Sequence, residues 1–405
     1  ADALGTPPRL PWPRWFTLLV TAVVVAAVVG FLNIERGDPS ASPGASAPTT
    51  PASSTTPASS TRPAPQTSPT VQPTRPAVWV TDLGHPLLNT TAKWELFGRG
   101  QGVLVRIEPA AGRITRTTIP DLRSGGPVYL VAGSDRVIVR PLDNVPGYVV
   151  RDGRLAEQLS PSLNLDGPVF PGPAPDRMWV RPADDHQPVM ALATLDGRRL
   201  ADFVPVPPGS SSFEAVADGS GYLLYTGIGG VYDARPDGLR RISTGVLLAV
   251  GPTGWLAVEC DESYRCRTVL INRANGLRRT VVDGVVSRDW RGVISPDGST
   301  AAVMTSGPNG AVGLALIDLV HNRVLRVPDV AVTQETLNGA MVFSPDSAWL
   351  FAAAPDGSVS VINPRTAAVS PLSSSLPPLS QLVLRPAPGA RPDSSAAARG
   401  LTARG

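Results

Sequence analysis

Between Val78 and Arg385 the chain alternates short apolar runs with Gly, Asp, Asn and Pro. No stretch sustains the three-to-four-residue apolar period of an amphipathic helix. One arrangement recurs: an apolar strand, a tight turn, an arginine and a second strand. It reads V-L-V-R-I-E-P-A-A-G-R-I-T-R-T from Val103, Y-V-V-R-D-G-R-L from Tyr148 and V-M-A-L-A-T-L-D-G-R-R-L from Val189. It returns as G-V-Y-D-A-R-P-D-G-L-R-R-I from Gly230 and T-V-L-I-N-R-A-N-G-L-R-R-T from Thr268. The last copies are L-A-L-I-D-L-V-H-N-R-V-L from Leu314 and V-S-V-I-N-P-R-T-A-A-V from Val359. The turn residues are Gly112, Gly153, Gly197, Gly238, Gly276, Asn322 and Pro364, spaced 38 to 46 residues apart. Asp-Gly and Asn-Gly pairs supply the positive φ that a two-residue hairpin turn needs.

A second hairpin precedes most of these. It is seen in G-S-D-R-V-I-V-R-P from Gly133, P-D-R-M-W-V-R-P from Pro175 and A-D-G-S-G-Y-L-L-Y from Ala217. It recurs in P-T-G-W-L-A-V-E-C from Pro252, S-P-D-G-S-T-A-A-V-M from Ser295 and S-P-D-S-A-W-L-F-A-A from Ser344. Four short strands in roughly 40 residues make the blade of a propeller. The repeat predicts an all-β, seven-bladed β-propeller over residues 78–386. The first unit, near Trp94 and Phe97, is the least regular, so the count could be off by one. A β-sandwich array is the rival, but sandwiches have no fixed unit of this length. Closure requires V-W-V-T-D at Val78 or Q-L-V-L-R-P at Gln381 to complete a blade begun at the other terminus. The S-P-D-G turns resemble those of TolB-like and WD-repeat-like propellers, without the Gly-His and Trp-Asp signature of WD repeats. In organisation and composition the chain resembles the membrane-anchored propeller proteins of actinobacteria.

The N-terminal pattern is different. Residues 15–32 are eighteen uncharged, mostly apolar positions, and Ile34 extends them beyond Asn33. At 1.5 Å per residue the run spans about one hydrocarbon core, which predicts a transmembrane helix over 15–34. Arg9 and Arg14 precede it, and Glu35, Arg36 and Asp38 follow. The positive-inside rule places a 1–14 segment in the cytoplasm and the propeller outside, at the cell membrane. The alternative is a cleaved signal peptide. Cytoplasmic sequence upstream of Ala1, making this a receptor ectodomain, is a further possibility. Residues 35–77 are Pro-, Ser-, Thr- and Ala-rich and predict a disordered stalk. Residues 387–405 read as a frayed tail.

Composition excludes some functions. A net charge of +3 over 405 residues gives no concentrated basic face for nucleic acid. His85, His186 and His321 are far apart and hold no zinc-ligand spacing. Cys260 and Cys266 are the two cysteines; apolar strands flank them, and a disulfide closing a hairpin loop fits an oxidising compartment. Two free thiols are the other reading.

No nucleophile elbow, phosphate loop or calcium loop is present. The carboxylate pairs Asp184–Asp185 and Asp261–Glu262 read as solvated loop charge. The expectation is therefore a non-enzymatic binding, scaffold or sensing module without a cofactor, its partner a protein or an envelope ligand. The alternative is an envelope hydrolase or lyase with its site in the channel. The candidate recognition feature is a set of arginines at strand ends, each before proline: Arg140, Arg181 and Arg385, with Arg99 as a possible equivalent. Side by side they would form a basic rim for an anionic partner. The bland reading is that their stems cover apolar strand edges. A second series, Arg113, Arg154, Arg198, Arg240, Arg278, Arg323 and Arg365, follows the turns and reads as edge protection on outer strands.

Overall fold

A computed structural model describes residues 77–386, except 92, 121, 123–127, 142–145, 161–164, 183–188, 209–212, 228, 285, 287–290, 307–311 and 334–338. The expected membrane helix at 15–34, all but the last residue of the stalk at 35–77, and the tail from 387 lie outside the described residues. So do Asp184, Asp185 and His186. Among the described residues no helix is long and apolar enough to cross a membrane.

The described residues are all-β. After β1 (Val78–Asp82) come β2 (Trp94–Gly100), β3 (Val103–Glu108) and β4 (Arg113–Thr118), which pair in order. The next antiparallel meander is β5 (Val128–Ala132), β6 (Arg136–Pro141), β7 (Tyr148–Arg151) and β8 (Ala156–Gln158). Another is β9 (Leu165–Pro171), β10 (Arg177–Pro182), β11 (Val189–Thr194) and β12 (Arg199–Pro205). It is followed by β13 (Phe213–Ala217), β14 (Leu223–Gly227), β15 (Gly230–Arg235) and β16 (Gly238–Ser243).

Two further meanders share one eight-stranded sheet. The first is β17 (Val246–Gly251), β18 (Gly254–Cys260), β19 (Cys266–Asn272) and β20 (Arg278–Asp283); the second is β21 (Gly292–Ile294), β22 (Thr300–Ser306), β23 (Val312–Asp318) and β24 (Arg323–Val327). A parallel pairing of β17 with β21, Ala249 opposite Gly292, joins them. The last meander is β25 (Met341–Phe343), β26 (Leu350–Ala353), β27 (Val359–Ile362) and β28 (Val369–Pro371).

The final strand, β29 (Gln381–Pro386), pairs with β2, while β1 covers the outer edge of β4. Both terminal strands therefore complete the first sheet. The innermost strands β29, β5, β9 and β13 touch in that order. β17, which touches β14 and β15 of the fourth meander, is followed by β21 and β25, and β25 returns to β29. This closed, propeller-like ring of meanders is the arrangement that the repeat implied.

The apolar pattern follows from the ring. A middle strand is covered on both faces by neighbouring sheets, so it is apolar nearly throughout: β18 is buried from Gly254 to Val258, and all of β26 is buried. The outermost strands β12 and β28 are largely exposed. The core is a series of clusters, each between consecutive meanders. Phe170, Trp179 and Met190 pack against Leu223 and Tyr225, and Ala302 and Leu316 pack against Met341 and Leu350. Trp94 meets Phe351 edge-on with centroids 5.4 Å apart, joining the first sheet to the last meander. Gly221, at φ +89°, shows how close the sheets come: a Cβ there would overlap the Gly172 backbone. The Gly221 carbonyl accepts a 2.7 Å hydrogen bond from Trp179 Nε1 of the preceding meander.

Candidate functional site: the two ends of the inner ring

Each meander begins at one end of the ring, its inner strand running away from that end and its second strand returning. The end where inner strands start and second strands finish is the mouth. At the other end, the turn end, hairpin turns join first to second strands and third to fourth.

Three of the four candidate rim arginines lie at the mouth. Arg99, opposite Gln381, donates from Nη1 to Ser380 Oγ at 3.2 Å. Gln381 in turn donates through its side chain to the Val128 carbonyl of the next sheet. Arg140, opposite Tyr129, donates to the Pro141 carbonyl at 2.9 Å. Arg99 and Arg140 are both buried, and Arg181 at the end of β10 is exposed. Burial raises the Tyr225 phenol pKa, and the charge of Arg181 opposes that rise.

Arg385 does not join them. β29 is an inner strand and runs opposite to β2, so its C-terminal end lies at the turn end. There Arg385 is 2% exposed and donates to Glu95 Oε2 at 2.6 Å. It also donates to both Asp152 oxygens at 2.6 and 2.7 Å and stacks over the Phe97 ring at 4.7 Å. Arg106 shares Glu95. Arg385 is a buried clamp that locks the closing strand to the first two sheets.

The mouth also holds residues that the repeat did not announce. Arg291, immediately before β21, donates from Nη2 to Glu214 Oε1 of β13. In the ring of inner strands β17 lies between these two, so the ion pair reaches over the mouth. Arg291 is 21% exposed and Glu214 47%. Arg291 Nη1 is buried without a hydrogen-bond partner. Burial lowers the Arg291 pKa to about 10, and the Tyr129 phenol partly offsets this. Burial raises the Tyr129 pKa, against the charge of Arg291.

The disulfide opens on the same end. Cys260 ends β18, Cys266 starts β19, and the two are bonded as the flanking strands implied. Asp261 caps the loop between them, accepting from the Ser263 and Arg265 amides at 2.9 and 3.0 Å and from Arg265 Nε at 3.1 Å. Tyr264 stands at its tip with φ 58° and is 90% exposed. This loop residue, in the left-handed region between the crosslink and the Asp261 cap, presents an exposed aromatic ring.

Several charges at the turn end are matched. Asp218 is fully buried, takes the Ser220 and Tyr222 amides, and pairs with Arg273 of the next meander. Arg136 pairs with Asp135 and with Asp196 of the neighbouring meander. In the S-P-D turns Ser295 Oγ and Ser344 Oγ donate to Asp297 and Asp346 and accept the Thr300 and Trp349 amides. A depression of about 380 Å³ lies here, lined by Asp233, Arg235, Asp237, Arg240 and Arg273; Arg235 and Arg240 pair with Asp233, and Arg273 with Asp218. Of the second arginine series, Arg113, Arg240, Arg278 and Arg323 lie on the fourth strands of their meanders, and each pairs with an acid. Arg154, Arg198 and Arg365 fall outside the strands.

No family model and no curated protein sequence matches the chain. Among solved structures it is similar to TolB from Acinetobacter baumannii, with 13% identity, 75% of this chain and 68% of that one covered, and a TM-score of 0.40. It is similar to apo AztD from Citrobacter koseri, with 12% identity, coverage of 73% and 98%, and a TM-score of 0.38. It is also similar to a putative 6-phosphogluconolactonase from Bacteroides fragilis, with 10% identity, coverage of 74% and 99%, and a TM-score of 0.44.

Proposed function

We propose that the chain is a seven-bladed propeller tethered to a membrane by residues 15–34 and working outside it as a non-enzymatic binding module. The count takes the eight-stranded sheet as two blades and the five-stranded sheet as one. The observation that carries the reading is the contrast between the ends. The turn end pairs Arg136, Arg273 and Arg385 with acids, whereas the mouth presents Arg181, a partly exposed Arg291 and the exposed Tyr264. A protein or envelope partner with anionic groups fits that face. Arginine and tyrosine are the residue types that carry binding energy at interfaces.

The uncharged run at 15–32 and the flanking charges support the tether. The Cys260–Cys266 bond supports an oxidising compartment. A photo-crosslinker at Val246, exposed at the mouth end of β17, tests the reading in intact cells against the same group at Leu277 on the turn end. Capture of one defined partner from Val246 and not from Leu277 is expected. Equal capture from both ends removes the basis for the assignment.

A further inference from the structure

Glu214 and Arg291 are unusual among the charges of this chain. Asp218 is fixed by backbone amides and Glu95 is buried, and although Asp196 is exposed, the Arg136 that faces it is also held by Asp135. Glu214 is exposed and has no second partner among the described residues, while Arg291 is mostly buried with one Nη unpaired. A guanidinium offers a planar fork suited to two carboxylate oxygens. Glu214 places one oxygen on one arm of that fork.

We propose that Glu214 is an internal stand-in for a ligand carboxylate, and that ligand binding at the mouth displaces it from Arg291. This rests on the reading of the mouth as the binding face and names the chemistry recognised there. A monoanion is specified because the site provides one partly desolvated guanidinium. Arg140 is committed to its own strand end, so a dianionic phosphate would lack a second cation held beside the first. Tyr129 and the exposed Val246 border the same end and favour a carboxylate carried on an apolar body. Two sources share this chemistry: a small organic acid, and the free C-terminus of a protein chain.

The test is titration calorimetry of the full chain in detergent, with hexanoate, with an apolar hexapeptide ending in a free carboxylate, and with the same peptide as its amide. One of the two acids binds and the amide does not. Glu214→Gln tightens binding roughly fivefold by removing the competitor, and Arg291→Gln weakens it at least about tenfold. Arg291→Lys, which keeps charge without the fork, is intermediate. Thermal unfolding checks that each variant is folded. The proposal is overturned if neither acid binds at millimolar concentration, if the amide binds equally, or if Glu214→Gln leaves affinity unchanged. Envelope binding lost in Arg181→Ala/Tyr264→Ala but intact in Arg291→Gln would sink this proposal and leave the wider reading standing. Envelope binding intact in every variant would sink both.

Discussion

Arg385 and Arg181 carry the same local signature, an apolar strand ending in Arg-Pro, and the structure puts them to opposite uses. Arg385 at the turn end is enclosed by two carboxylates and an aromatic ring. Arg181 at the mouth end is exposed. What separates them is the strand each terminates: β29 is a first strand and β10 a second strand, and these run in opposite directions. A buried, doubly paired arginine holds structure, whereas an exposed one is available to a partner.

The largest effect should come from breaking the clamp. Arg385→Ala leaves Glu95 buried with only Arg106 as counter-charge and frees the closing strand. A loss of about 3–5 kcal/mol in denaturant unfolding is expected, as for other broken buried pairs. Asp218→Asn, which strands Arg273 between blades, should cost less, about 2–3 kcal/mol. Reducing Cys260–Cys266 closes no long loop, so the loss should be about 2 kcal/mol. Arg181→Ala and Tyr264→Ala should leave the unfolding midpoint almost unmoved while weakening partner capture. A stability loss in Arg181→Ala matching that of Arg385→Ala would erase the distinction between the ends.

The smallest effect is acidic. Asp318 feels some burial, which raises its pKa, but hydrogen bonds from His321, Arg323 and the Val320 amide win and hold it at about 2. Asp297 is likewise held low against burial by Ser295, Ser299 and Ser347. Carboxylates with depressed folded pKa values stabilise above the unfolded value near 4 and lose that contribution as pH falls through the folded one. Stability should therefore decline gradually between about pH 4 and pH 2, and Asp318→Asn should flatten part of that slope.

The meanders were legible because their cause is local. A turn with Gly or Asn at positive φ and strands pairing within one unit leave a repeating mark, as at Gly112, Gly276 and Asn322. The disulfide was legible for the same reason. The working of the arginines was not, because their partners are remote. Arg385 meets Glu95 across 290 residues and Asp152 across 233, and Arg291 meets Glu214 across 77. Arg291 stands once, at an inner-strand start, with no repeat to draw notice. The closing strand also broke the analogy on which the rim was built, since β29 takes the first place in a sheet whose other strands lie at the opposite end of the domain.

Co-sedimentation of the full chain with anionic envelope fractions tests the central claim most directly, comparing wild type with Arg181→Ala/Tyr264→Ala at low and physiological salt. The account predicts that the double variant remains folded and loses most of the salt-sensitive binding. Unchanged binding by a folded double variant would contradict it.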